Sequence, residues 1–260
     1  MTNSKQSIAD LNDILNGAVE EGILSPNTLD MIDVNDAIAI GSNGMDVDDV
    51  LATDVTLVTL ITDNSGSIGF SGLEDAVRTG QNEMLDAFLN SKQKDSIMLA
   101  QWFINESTPI HSYVSLDKAT KLDKSNYNAG GGTPLYDRTV EAVISNVAYA
   151  QQLRDTGTPV TSVIIIITDG YDEGSRKYRA GQVAQVIKDV MREQFAVVLV
   201  GVGKDDFRKV AKDMGISDGN VLTVDSTPSE IRKACQMVSQ STIRASQTKI
   251  DPTNNNSFFV

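Results

Sequence analysis

A chain of 260 residues with 40% hydrophobic content can bury a full core, and 35 acidic against 22 basic residues leave it a formal charge of −13. That balance argues against a surface built to grip nucleic-acid phosphates and against docking on an anionic membrane. Cys235 is the only cysteine, which rules out an intramolecular disulfide, and no apolar run approaches the ~20 residues that span a bilayer. The polar opening Met1-Thr-Asn-Ser-Lys-Gln-Ser7 has no apolar signal-peptide core, so a cytoplasmic location is expected.

Residues 1–52 read as an N-terminal extension packing on a main domain. Ile8, Leu11, Ile14 and Leu15 share one face of a short helix, with Ser7 and Gly17 where caps are expected. Ser25-Pro-Asn-Thr28 opens a second helix carrying Leu29, Met31 and Ile32, whereas Ala37-Ile-Ala-Ile-Gly41 suits either strand or helix. Asp46, Asp48 and Asp49 lack the spacing of a calcium-binding EF-hand loop and are read as a solvated acidic turn.

From Val55 strands and helices alternate through a domain of residues 53–246. A strand over about 55–62 precedes a helix over 70–90, where Leu73, Val77, Met84, Leu85 and Phe88 recur at helical spacing. Ser96–Ile104 is a second strand, on which the adjacent Trp102 and Phe103 face opposite sides. Residues 109–114 form a short strand whose Pro109 suits a sheet edge.

Pro134 opens a long helix with Val140, Val143, Ile144 and Val147 as its buried stripe, ended by Gly157 and Pro159. Val160–Thr168 is β-branched enough for a strand covered on both faces. A helix over 176–193, a strand from Phe195, a helix over 204–214, a strand over 220–224 and a helix over 229–246 complete the domain. Gly201-Val-Gly203-Lys204 is a tight strand-to-helix turn without phosphate-loop spacing. Cys235 packs as a small hydrophobe, His111 lies on the edge strand, and residues 247–260 read as a disordered tail whose Phe258-Phe259-Val260 end is frayed, with a small docking peptide as the alternative. The alternation predicts an α/β doubly wound open sheet, which binds ligands at the carboxyl ends of its strands.

Two apolar strands end on aspartates. Asp63-Asn-Ser65-Gly-Ser67 follows the first, Thr168-Asp169-Gly170 the later one, and Gly130-Gly-Gly-Thr133-Pro134 lies between them. Asp63, Ser65, Ser67, Thr133 and Asp169 are all hard oxygen donors, a set suited to Mg²⁺, with Mn²⁺ or Ca²⁺ as alternatives. If the hydroxyls take the inner positions and the aspartates act through water, the ion stays electrophilic and keeps a position for an outside carboxylate. Asp172 and Glu173, just beyond, are read as solvated.

These three stretches, in this order and spacing, resemble the metal-ion-dependent adhesion site of von Willebrand factor A domains, and the resemblance covers about residues 53–245. It implies a six-stranded sheet with the short 109–114 strand antiparallel at an edge. It also implies that Ser65, Ser67 and Thr133 touch the ion, with Asp63 and Asp169 direct or through water. Gly-Gly-Thr-Pro-Leu135 resembles the intracellular bacterial branch, which includes tellurite-resistance-associated proteins and partners of AAA+ ATPases. The expected function is a non-enzymatic, magnesium-dependent adaptor gripping an Asp or Glu of a cytosolic partner, an AAA+ ATPase or a stress or defence component. The alternative is a metal-dependent phosphohydrolase or phosphotransferase, which would need a second acid where Ser65 stands.

Overall fold

The computed structural model describes residues 7–192, 194–247 and 257–259. In chain order the elements are α1 (Ile8–Glu20), α2 (Pro26–Met31), α3 (Asp36–Gly41), β1 (Val55–Thr62), α4 (Gly66–Phe70), α5 (Glu74–Leu89), β2 (Ile97–Phe103) and β3 (His111–Ser115). They continue with α6 (Leu135–Asp155), β4 (Val160–Thr168), α7 (Ala180–Val190), β5 (Phe195–Val202), α8 (Phe207–Asp213), β6 (Val221–Val224) and α9 (Pro228–Gln247).

The strands form one sheet in the order β3-β2-β1-β4-β5-β6, parallel throughout except β3, which runs antiparallel at the edge. This is the doubly wound architecture expected. β-branched residues dominate β1, β4 and β5, and all three are covered on both faces, each buried Val, Leu or Ile contributing about 1.5–3 kcal/mol. One face packs against α6, α7 and α8 with Trp102 in its core; the other packs against α5 and α9 with Phe103. The strand order reverses between β1 and β4, which pair directly and end level, Thr62 opposite Ile167. Asp63 and Asp169 follow those two ends. Topology alone brings them together.

Several local expectations change in the folded chain. Gly17 lies inside α1, which ends at Glu20 and is followed by Gly22, whose φ of +79° favours glycine. Ala37–Gly41 is helical because the Asn35 side chain accepts from the N–H groups of Ala37 and Ile38. The helix expected over 70–90 is α5, starting at Glu74; a short α4 that was not expected precedes it, the two separated at Gly72 with φ +66°, and Phe70 at the end of α4 lies in solvent. α7 begins at Ala180 instead of 176, because Asp137 of α6 accepts from the backbone N–H groups of Arg176, Lys177 and Tyr178. Gly201 is required by packing: a Cβ there would fall 2.0 Å from Cγ of Phe207.

α6 departs most from its expected single stripe. Its sheet-facing side carries Val140, Val143, Ile144 and Val147 together with the buried Asn146, and because α1 and α3 pack on it as well, Arg138, Glu141 and Gln151 are also buried. Each is engaged. Arg138 pairs with Glu141 at 2.5 Å and lies 5.7 Å from the Trp102 ring centroid, and Glu141 also accepts from Lys177 at 3.0 Å and Asn35 at 3.3 Å. The Asn146 amide donates to Tyr113 and Thr59, and Gln151 donates to Glu21 of the extension. On the neighbouring α7, the buried carboxylate of Asp189 accepts from the Ser25 N–H and from the Ser25 and Thr28 hydroxyls, seating α2. Among the described residues no helix is long and apolar enough to cross a membrane.

Candidate functional site

The β1–α4 turn bends tightly because Asp63 organises its own loop. Asp63 Oδ1 accepts from the Ser65 N–H at 2.8 Å, and its Oδ2 accepts from the Thr168 hydroxyl at 2.6 Å, a direct tie between the ends of β1 and β4. The side chain is buried, 1% exposed. Ser65 and Ser67 then place their hydroxyls 3.0 Å apart, and Ser67 donates to Asp169 Oδ1 at 2.8 Å. Ser65, Ser67 and Asp169 thus form a continuous line of oxygens on the rim.

The second loop is clamped to the first through backbone. Gly66 N–H donates to Gly131 O at 3.1 Å and Gly130 N–H to Asn64 O at 2.8 Å. A Cβ on Gly66 would meet Gly131 O at 3.4 Å, and Gly131 itself has a φ of +75°. Thr133 pairs with Glu173 through two backbone hydrogen bonds, 3.1 and 2.9 Å, which bring the third loop against the second. Thr133 itself is 6% exposed. Loop one meets loops two and three, and loop two meets loop three.

Four supporting residues escaped sequence reasoning. Asn105, just past β2, donates its amide to Gly130 O at 2.5 Å while its backbone N–H reaches Asn64 Oδ1 at 2.9 Å. The Tyr127 hydroxyl donates to Asp63 O at 2.6 Å, and Glu74 at the start of α5 accepts from the Ala129 N–H at 2.8 Å. Thr168 is the fourth, and a hydroxyl closing an apolar strand was its available signal. Asp172 is no solvated residue: it accepts from the Tyr136 N–H and the Ser175 hydroxyl, capping the start of α6, whose first N–H groups have no helical partner. His111 contacts Gln101 and its own strand, and burial holds its pKa below the ordinary value. Burial likewise pushes the Cys235 thiol up to about 12, as suits a packed, inert side chain.

Burial, and the neighbouring charges of Asp63 and Asp205, raise Asp169 from 3.8 to about 6 against the opposing hydrogen bond from Ser67. Among the described residues no three carboxylate, imidazole or thiolate side chains gather around one point. An ion here would therefore rest on two carboxylates and hydroxyls, an all-oxygen set that fits a hard divalent cation. The raised pKa of Asp169 comes first from burial, to which the charges of Asp63 and Asp205 add. Its sign gives a test. A carboxyl raised in the fold stabilises most below its unfolded value and loses that contribution as pH rises through about 6. In EDTA, wild type should lose about 1 kcal/mol more than Asp169→Asn between pH 4 and 7, after discounting for solvent screening, a difference of roughly 2–4 °C in melting temperature. Parallel melting curves for the two proteins across that range would refute the assignment.

Comparison with known proteins adds to this geometry. The von Willebrand factor type A domain family matches residues 58–234. The chain belongs to that family. Among curated proteins none matches significantly. Among solved structures, the open form of the pilus adhesin SpaC from Lactobacillus rhamnosus GG aligns with a TM-score of 0.53 at 14% identity, over 74% of this chain and 30% of that one. Proximal thread matrix protein 1 from mussel byssus aligns at 0.49 and 19% identity, over 75% and 48%, and has also been solved with zinc in its metal-ion-dependent adhesion site. This von Willebrand factor A chain thus spans less than half the length of either protein, and its likeness to the pilus adhesin is one of fold.

Proposed function

We propose that this von Willebrand factor A domain is a magnesium-dependent protein-binding module with an intact metal-ion-dependent adhesion site. Ser65, Ser67 and Thr133 hold the ion, Asp63 and Asp169 balance it directly or through water, and a partner's Asp or Glu completes the coordination. Mn²⁺ or Ca²⁺ is accommodated by the same donors. The observation that carries the reading is the meeting of all three loops at the β1/β4 switch point, with the Ser65–Ser67–Asp169 oxygens in one hydrogen-bonded line. The partner is cytosolic, an AAA+ ATPase or a stress or defence component, in keeping with the tellurite-resistance-type motif form.

The domain is not an enzyme in this reading. Phosphotransfer through Asp63 would need a second acid two residues on, and that position holds Ser65.

Two exposed aromatics give the partner surface its character. Phe70 on α4 is 96% exposed and Tyr171, two residues past Asp169, is 42% exposed, so an apolar side chain beside the partner's acid has somewhere to pack. Affinity capture with immobilised protein should retain a partner in Mg²⁺ and release it in EDTA. Undiminished retention in EDTA defeats the proposal. Phe70→Ser should weaken that partner about tenfold, roughly 1.4 kcal/mol, with the metal titration unchanged.

A further inference from the structure

At the far edge of the sheet from β3, the chain provides a small receptor and fills it with its own residues. Asn220, immediately before β6, is 5% exposed, and its amide donates to Val197 O of β5 at 3.1 Å. That bond fixes the side chain so that its Oδ1 accepts from the Phe258 N–H at 3.2 Å. The Ser257 hydroxyl donates to Gly219 O at 2.6 Å, and Arg244 of α9 donates to Phe258 O at 2.9 Å. Gly219 leaves room for this approach, since a Cβ there would lie 3.1 Å from Ser257 Cα. The Phe258 ring enters the apolar cluster between the sheet and α9 and is only 9% exposed, with Phe259 packed edge-on against it at 5.3 Å. Residues 248–256 and 260 lie outside the described residues, so the expectation of a disordered tail meets the structure only at 257–259.

We propose that the cleft between the 218–220 turn, β6 and the C-terminal half of α9 is a peptide-binding groove for a Ser-Phe-Phe segment, and that residues 257–259 of this chain are its resident ligand, a reversible clamp on α9. Every polar group of the receptor is matched: a carbonyl for the serine hydroxyl, an amide oxygen for the first phenylalanine N–H, a guanidinium for its carbonyl. One apolar slot takes the first aromatic ring. Two tethers, one from the sheet side and one from α9, converge on Phe258, so seating the segment joins the helix to the sheet edge and vacating it loosens that end of α9. The groove stands apart from the loops of the metal site, and this proposal is independent of any ion bound there.

The test uses the full chain and a fluorescently labelled peptide of residues 251–260. In wild type the peptide competes with a tethered copy at an effective concentration on the order of a millimolar, whereas in Phe258→Ala the slot is vacant. The peptide is expected to bind Phe258→Ala saturably and at least about tenfold more tightly than wild type. A peptide with both phenylalanines changed to serine should bind neither. Equal binding to the two proteins, or none to Phe258→Ala, overturns the proposal. Gly219→Val, which closes the groove and leaves the tail sequence intact, should bind no peptide. Both variants should lose hydrogen-exchange protection over residues 219–224 and 238–247, and unchanged protection in both overturns the clamp.

Discussion

Titration of Mg²⁺, Mn²⁺ and Ca²⁺ into purified protein should show saturable binding to wild type and none to Asp63→Ala/Ser65→Ala. The single variant Asp63→Asn isolates charge from architecture. Its amide oxygen still accepts from the Ser65 N–H, and the Thr168 hydroxyl can rotate to accept from the new amide nitrogen, so the tie between β1 and β4 survives. Loss of the negative charge alone should then weaken ion binding about 10–100-fold, the range typical even of groups one layer behind an ion. Asp63→Ala differs. It strands the buried Ser65 N–H, which costs about 1–3 kcal/mol, and leaves the Thr168 hydroxyl only its longer bond to Gly170 O at 3.3 Å. A melting temperature preserved in Asp63→Asn, with ion affinity lost, would place Asp63 in the metal site. Unchanged ion affinity in Asp63→Asn would remove it.

Glu141→Ala should be the most destabilising single change on α6. It leaves the Arg138 guanidinium, 5% exposed, without its carboxylate, and also releases Lys177 and Asn35. Breaking a buried pair from one side costs about 3–5 kcal/mol, which for a chain of this size lowers the melting temperature by roughly 10 °C. Removing both charges together, as Arg138→Met/Glu141→Leu, should recover most of that loss, because packed apolar side chains replace a buried ion pair at little net cost. A double variant no more stable than Glu141→Ala would show that Asn35 and Lys177, rather than the stranded guanidinium, carry the effect. Either way the pair lies at the junction between the N-terminal helices and the sheet domain.

The sequence made the sheet legible because β1, β4 and β5 are β-branched runs too short for helices and too apolar for any surface. Their period and their turns are local properties. Four of the five proposed donors, Asp63, Ser65, Ser67 and Asp169, could be singled out for the same reason, since they follow strand ends and strand ends are visible in a hydrophobicity pattern; Thr133 was singled out only through its Gly-Gly-Thr-Pro stretch. The separation of α4 from α5 at Gly72 depended on a backbone angle that a glycine in a helical pattern does not declare.

What only the tertiary structure decided lies in contacts between residues far apart in the chain. α6 reads as amphipathic from its own residues, and it is buried all round because α1 and α3 arrive from more than ninety residues upstream. Asp172 reads as solvated until α6 presents its open N–H groups to it. Asn105 and Tyr127 read as ordinary loop residues until the topology lays their loops across Asn64 and Asp63. Phe258 reads as part of a frayed end until the 218–220 turn and α9 provide its slot. Local sequence determines which segments become strands and helices and where their ends fall. Which polar groups then face one another is set by the order of strands in the sheet, and a hydrogen bond between loops has no periodicity from which to read it.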